Sequence, residues 1–285
     1  MIPVREIIDA TRDALVQAST TFRPDQMAAY QAALARETSA KSKWVLEQII
    51  RDAEVGAAKK LALCDDTGIP HVFVRIGEDA EVKGSLFSAL SEGVAAGLRD
   101  LPARPMAVKG EGWDLLGQSQ GMYDDPGMLA PAPFSVLPQK GKELAITVLM
   151  LGGGPEIRGK TYRVFHRHQG KSVLEEAAKW AAQEVIQLGC TPAIPCIGTG
   201  RTHYEASHLM LQAMAEADFT KQSEAESMVT GIVNETACGS LGLGGDITAL
   251  AAFVKIGPAR ASGVRIVSLR LGCCFDPRKA TVVLA

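Results

Sequence analysis

The feature that most constrains this chain is a change of hydrophobic period. Val4, Ile7, Ile8, Leu15 and Val16 recur at helical spacing with Thr11 as the polar interruption. Pro24 opens a second helix carrying Met27, Tyr30 and Leu34, and residues 39–54 read as a third with Trp44, Val45, Ile49 and Ile50 on one face. Beyond about residue 57 the pattern changes, and His71-Val72-Phe73-Val74 is a β-branched and aromatic run of the kind strands use. The switch falls at Cys64-Asp65-Asp66-Thr67-Gly68-Ile69-Pro70, a thiol and two carboxylates in one turn. A cysteine in such a turn is a candidate ligand; the competing reading is a small buried hydrophobe.

The later chain alternates the two periods. Residues 85–98 read as a helix, 144–151 as a buried strand that stops at Gly152-Gly153-Gly154-Pro155, and 172–188 as an amphipathic helix ending at Gly189-Cys190. A second apolar run leads from Pro192 to Gly200, residues 205–217 are helical, and a glycine-rich turn at 239–246 precedes another apolar stretch. The run 264–271 leads into Gly272-Cys273-Cys274. Residues 100–140, rich in Pro and Gly with Trp113, Met122 and Tyr123, show no period and are expected to be irregular and close to a site or interface. No internal repeat or low-complexity linker is visible. The expected fold is α/β (α+β), an N-terminal helical block over 1–57 packed on a mixed sheet, in one interwoven domain spanning 1–285.

The 285 residues are 47% apolar and 22% charged with a formal net charge of -2, which leaves no basic field for nucleic acid or a membrane surface. The N-terminus lacks a basic segment followed by an apolar core, and no apolar stretch is long enough to span a bilayer, so a cytoplasmic protein is expected. In a reducing compartment the six cysteines (64, 190, 196, 238, 273 and 274) are packing residues, redox groups or metal ligands rather than a disulfide framework. None forms Cys-x-x-Cys, which argues against a zinc ribbon and a thioredoxin motif.

Cys64, Cys190 and the Cys273-Cys274 pair each stand at the edge of an apolar run beside glycine or a turn. Thiolates at turns can converge on one centre, and soft sulfur favours zinc, copper(I) or iron–sulfur. Three thiolates on a four-iron cubane leave one iron open, whereas four close the site; buried structural cysteines are the alternative. The glycine turns at 152–157, 198–203 and 242–247 match neither Gly-x-Gly-x-x-Gly nor Gly-Lys-Ser/Thr, so each is a tight turn or a main-chain anion nest. His166 and His168 are spaced to share one face of a strand. His203 and His208 are five apart, which does not suit a helical zinc pair, though a mononuclear site using one of them with two cysteines stays open. Tyr204, Glu205 and Asp246 are possible acid–base groups.

Several segments together resemble the α subunit of class I, iron–sulfur-dependent fumarate hydratase and L(+)-tartrate dehydratase. Cys64-Asp65-Asp66-Thr67-Gly68 is similar to that family's Cys-Gln-Asp-Thr-Gly, and the preceding helix from Glu37-Thr38-Ser39-Ala40-Lys41 resembles the family's. Cys190-Thr191-Pro192, followed by Gly198, Gly200 and Thr202, resembles Cys-Pro-Pro with its later Gly-x-Gly-Ile-Gly-Gly-Thr. Leu243-Gly244-Gly245-Asp246-Ile247-Thr248-Ala249-Leu250 is close to Leu-Gly-Gly-Asp-Thr-Thr-Ala-Leu, and Cys274-Phe275-Asp276-Pro277-Arg278-Lys279 resembles Cys-Trp-Ala-x-Arg-Arg. Order and spacing agree over roughly residues 37–280.

The resemblance implies that Cys64, Cys190 and Cys274 hold a [4Fe-4S] cluster whose fourth iron acts as a Lewis acid on the hydroxyl lost or gained. It implies that Asp66 contacts that hydroxyl, that Arg104 clamps a substrate carboxylate, and that Gly153 and Gly154 belong to the substrate-binding loop. It also implies a partner, because in the family a β part supplies substrate-binding groups and the base. A β subunit, and an α–α dimer within a heterotetramer, are therefore expected. The chain departs from the family at Asp65 for Gln, at Pro155 and Ile157 in the glycine loop, and at Arg201, which leaves a non-catalytic paralogue that assembles with a β subunit as the alternative to an enzyme.

Overall fold

The computed structural model describes residues 1–101 and 103–285; Pro102, in the stretch expected to be irregular, lies outside the described residues. In chain order the elements begin with β1 (Ile2–Pro3), α1 (Val4–Thr20), α2 (Pro24–Arg36), α3 (Ala40–Lys59), β2 (Ile69–Gly77) and β3 (Val82–Lys83). They continue with α4 (Leu86–Asp100), α5 (Trp113–Gly117), β4 (Ser135–Gln139), β5 (Leu144–Leu151), α6 (Gly153–Glu156), β6 (Lys160–Phe165) and α7 (Gly170–Glu184). The last are β7 (Ile194–Gly200), α8 (His203–Glu216), α9 (Glu224–Asn234), β8 (Phe253–Ile256), β9 (Val264–Gly272) and β10 (Arg278–Leu284). Helices and mixed sheets in these proportions make the expected α/β class the observed one. The chain clusters into two compact units, each assembled from separate stretches: Met1–Thr21, Glu54–Gly152 and Arg278–Ala285 form the first, and Phe22–Ala53 with Gly153–Pro277 the second.

The first unit is built on a four-stranded sheet of order β10-β5-β2-β4, with β2 parallel to β4 and antiparallel to β5, and β5 antiparallel to β10. Helix α1 packs on this sheet and on α4. Its buried Ile7, Ile8 and Leu15 meet Leu90, Val94 and Leu98 of α4 and Val72, Val74, Ile146, Val148 and Met150 of the strands. Burying such side chains is worth about 1.5–3 kcal/mol each. Gly93 and Gly97 let the two helices approach: a Cβ on Gly93 would stand 2.6 Å from the Thr11 Cβ and 2.7 Å from the Ile8 carbonyl. Thr11, the polar residue on that face, is buried and satisfies its hydroxyl on the Ile7 carbonyl at 2.7 Å.

The second unit has a sheet of order β6-β9-β7-β8, with β7 parallel to β8 and antiparallel to β9, and β9 antiparallel to β6. One face is covered by α7 and α9, whose Val173, Leu174, Ala177, Trp180, Val229 and Val233 bury Ile197, Val267, Leu269 and Leu271. Helix α8 crosses the other face, to which alternate β7 residues point. The Cβ positions of Gly198 and Gly200 coincide with the α8 backbone at Ala206 and Met210 and at Glu205 and Ala206, so only glycine admits the helix this close.

The two sheets share one plan. In each, an inner strand has a parallel neighbour on one side and an antiparallel one on the other, and the antiparallel neighbour carries a further antiparallel edge strand. The register agrees as well: Ile69, where β2 starts, faces Leu151, where β5 stops, and Ile194, where β7 starts, faces Gly272, where β9 stops. Two expectations differ from the structure. Within 100–140, β4 is a strand, and His166-Arg167-His168 is a turn beyond the end of β6, with φ of +47° at Arg167 and +58° at His168, so the two imidazoles do not lie on a strand face.

Candidate functional site

In each unit the turn before the inner strand and the loop after its antiparallel neighbour come to the same end of the sheet. In the first unit this brings the Cys64–Gly68 turn beside Gly152 and the start of β10. Gly68 has φ +84°, and a Cβ there would lie 2.8 Å from Arg278 Nη2 and 2.9 Å from the Leu151 carbonyl. Arg278, 4% exposed, donates from Nη1 to the carbonyl of Asp66 at 2.8 Å and so fixes the peptide that carries that acid. Thr67 is buried and accepts the backbone N–H of Arg104 at 3.0 Å, which ties the chain after α4 to the turn. Through that tie the Arg104 guanidinium faces both acids, with Nη2 3.9 Å from Asp66 Oδ1 and Nη1 4.0 Å from Asp65 Oδ2.

The side chains differ in setting. Asp66 is 31% exposed, Arg104 56% and Asp65 90%. Asp65 is thus solvated, while Asp66 is held from behind by Arg278 and flanked by Gly152. The Cys64 thiol is half-buried and lies 3.7 Å from Asp65 Oδ1. Of the residues singled out by sequence, the first unit therefore brings Cys64, Asp66 and Arg104 to one turn. Arg278 is the contact to which the sequence reading gave no role; its signal was its place as the first of the two basic residues that close the last cysteine motif.

In the second unit the equivalent end of the sheet carries Cys190 and Cys274. The N–H of Cys274 donates to the carbonyl of Cys190 at 2.9 Å, with Cys190 exposed and Cys274 buried. Thr191 fixes the Cys190 turn from below by donating to the Gly239 carbonyl at 2.6 Å. The glycine-rich turn at 239–246 is held in its turn by Glu37, 1% exposed, whose carboxylate accepts the N–H groups of Thr38, Ser39, Asp246 and Ile247 at 2.8–3.0 Å. Asp246 accepts the N–H and hydroxyl of Thr38 at 3.0 and 2.6 Å, and these bonds hold its carboxyl below the usual range. Glu205 is likewise held low by Arg201. Both acids are anchors of local structure.

Gly153 and Gly154 open α6, and the space around a Cβ on Gly154 is clear. The same loop is pinned at Glu156, which pairs with Arg270 of β9, a guanidinium 1% exposed. His203 starts α8, and His208 stacks on Tyr204 along that helix with centroids 6.0 Å apart. Cys196 lies in β7, fully buried, and burial pushes its thiol far up, so it stays protonated and inert. Among the described residues no three His, Cys, Asp or Glu side chains gather around a point suited to a single metal ion. Thiolates on a cubane bind three different irons and do not need to meet at one point.

The first unit thus sets an acid, a thiol and a facing guanidinium at one end of its sheet. The chain matches the family model described as fumarate hydratase (Fumerase) over residues 8–283, and it belongs to that family of hydro-lyases. It is also 26% identical over 282 residues to a Methanocaldococcus jannaschii protein named "Putative L(+)-tartrate dehydratase subunit alpha", covering 95% of this chain and 94% of that one. No helix among the described residues is long and apolar enough to cross a membrane.

Proposed function

We propose that this chain is the α subunit of a [4Fe-4S]-dependent hydro-lyase that reversibly adds water to, or removes it from, a small carboxylate of the fumarate/malate or tartrate type. The observation that carries the reading is the Arg104 guanidinium facing Asp66 at the turn that also bears Cys64. Soft thiols are the donors such a cluster takes, and two of the three, Cys190 and Cys274, are joined through their main chains. When bound by Cys64, Cys190 and Cys274, the cluster supplies one open iron as a Lewis acid for the hydroxyl.

The chain's own residues supply orientation and charge. Arg104 offers a planar fork to a substrate carboxylate, displacing its long contacts to Asp65 and Asp66 with shorter charge-assisted bonds. Asp66, its peptide fixed by Arg278, accepts a hydrogen bond from the hydroxyl or water and holds its proton. Gly153 and Gly154 present main chain without side chains, so a carboxylate can approach the N–H groups closely. Asp65 adds a negative charge where the family has an amide, which favours substrates whose own hydroxyls can bond to it. The base that removes the carbon-bound proton comes from a β subunit, and the assembly is an α–α dimer within a heterotetramer. The relative's name as a subunit alpha supports the partner. Six cysteines with no disulfide among the described residues support a reducing cytoplasm.

The test is anaerobic reconstitution with iron and sulfide, followed by turnover of fumarate, malate, tartrate and mesaconate by the α–β pair. Broad visible absorption is expected, and Cys64→Ser, Cys190→Ser or Cys274→Ser each removes it; three intact clusters would sink the ligand assignment. Asp66→Asn lowers kcat by about 10²- to 10⁴-fold, and Arg104→Met acts mainly on KM. A cluster-loaded pair that turns over none of the four acids is a non-catalytic assembly and ends the enzyme reading.

A further inference from the structure

We propose that α2, far from the cysteine motifs in sequence, is the device that positions the Cys274 thiol, with Arg23, Gln26 and Tyr30 as positioning residues. The buried face of α2 consists of Gln26, Tyr30 and Ala33, so two of its three buried side chains are polar. A helix docked only for core packing would bury aliphatic groups there. Instead the polar atoms go to one loop. The Tyr30 hydroxyl donates to the Cys274 carbonyl, Gln26 Nε2 donates to the carbonyls of Phe275 and Asp276 at 3.3 Å each, and Arg23 Nη1 donates to that of Pro277 at 3.0 Å. Four consecutive carbonyls are thereby captured by three side chains spaced three and four residues apart, the spacing of one helical face.

The supports of these donors are also fixed. The Tyr30 ring stacks on Phe22 with centroids 5.4 Å apart, and Phe22 in turn touches Phe275 at 6.1 Å. Arg23 is held by Asp25 at 3.0 Å and lies over the Phe219 ring. The loop closes on itself through Asp276 N–H to the Cys273 carbonyl at 2.9 Å and Cys273 N–H to Asp276 Oδ2 at 3.2 Å. With Cys274 N–H on the Cys190 carbonyl, the peptide planes on both sides of Cys274 are set before any ligand arrives. The backbone that carries the thiol is therefore held in place, and only the side-chain torsion is left to set at the moment of binding.

This rests on the reading of Cys274 as a cluster ligand, and the experiment separates the two. Cys274 is 3% exposed and Cys196, in the core of the same unit, 0%. In the metal-free chain under reductant, alkylation of either thiol thus reports opening, local for one and global for the other. Tyr30→Phe, Gln26→Met and Arg23→Met are expected to speed Cys274 alkylation by about tenfold or more, the effect of losing roughly 1.4 kcal/mol, whereas Ile197→Val, a core variant of similar global cost, speeds Cys196 and leaves Cys274 unchanged. After reconstitution the same variants shift the midpoint potential and the electron paramagnetic resonance signal of the reduced cluster, while Arg23→Lys, which keeps a donor, restores the wild-type signal. Unchanged Cys274 alkylation in all three variants overturns the proposal, and so does an equal acceleration of Cys274 in Ile197→Val, which marks general loosening. Wild-type spectra and potential in every variant overturn it while the cluster reading stands. Failure of the wild-type chain to form any cluster, with Cys274 selectively exposed in the variants, overturns the cluster reading and leaves the lock on the loop.

Discussion

Gly152 passes so close to Asp66 that a β-carbon on it would stand 2.8 Å from Asp66 Oδ2 and 3.3 Å from Arg278 Nη2. The substitution Gly152→Ala therefore pushes the carboxylate out of place without disturbing the core. The expected result is a fall in kcat of about 10²-fold, the cost of roughly an ångström of misplacement, with a melting temperature close to wild type. Gly154→Ala, which meets no neighbour within 4 Å, also keeps its melting temperature but raises KM, because the methyl group occupies the ligand's approach. Steady-state kinetics beside thermal melts separate the two; equal kinetics in both variants would remove the loop from the site.

Glu37 gathers four backbone N–H groups, and its replacement by Gln puts a donor where only acceptors fit. Bonds to a charged acceptor contribute about 1.5–3 kcal/mol each, and a buried donor left unmatched adds a penalty. Glu37→Gln should lower stability by about 3 kcal/mol in urea titration, read as a shifted midpoint at unchanged slope. A loss below about 1 kcal/mol would show that the glycine-rich turn holds without it.

Gly198→Ala is expected to be far more damaging than its small volume suggests. Its methyl group would overlap the α8 main chain at Ala206 and Met210, which cannot move aside as a flexible side chain can. A loss of about 3 kcal/mol or more, or failure to accumulate in soluble form, is the outcome; hydrogen exchange would locate the damage in α8 and β7. Near-wild-type stability would refute the close crossing.

Asp25 gives the second unit an acid-sensitive clamp. Burial alone would raise its carboxyl, but the Phe219 N–H at 3.0 Å and the neighbouring Arg23 hold it below the ordinary value. A carboxyl lowered in the folded state adds stability that is complete above its unfolded value of about 4 and is lost as pH falls through the folded one. Melting temperature measured from about pH 6 downward should drop below pH 4 more steeply in wild type than in Asp25→Asn, which is less stable at neutral pH and converges with wild type in acid. Parallel curves would count against it.

Much of this was readable in the sequence, and the rest failed for identifiable reasons. The three N-terminal helices, the strands at 144–151 and 264–271 and the Cys64 turn all announce themselves through local period. Strand β4 did not, because Pro138 interrupts its pattern, which an edge strand tolerates. Helix α9 was overlooked although Ser223 and Glu226 form a capping box at its start, a signal that is written in the chain. The shared plan of the two sheets was invisible, since pairings such as β10 with β5 join residues far apart and leave no repeat in sequence. Gly198 and Gly200 were weighed as tight turns or an anion nest, whereas their role is to admit α8, a demand set by a helix that arrives later in the chain. Asp246, read as a possible acid–base group, accepts the N–H and the hydroxyl of Thr38, bonds between residues 208 apart that no local pattern announces.

The division of the first unit into three stretches bears on how the protein is made. Residues 153–277 must all leave the ribosome before β10 can pair with β5, so the flank of β5 from Leu144 to Met150 waits uncovered while the whole body of the second unit is synthesised. An unpaired strand flank is an invitation to other chains. The translation rate through that interval, and whatever shields the waiting strand, set how long the flank stays open.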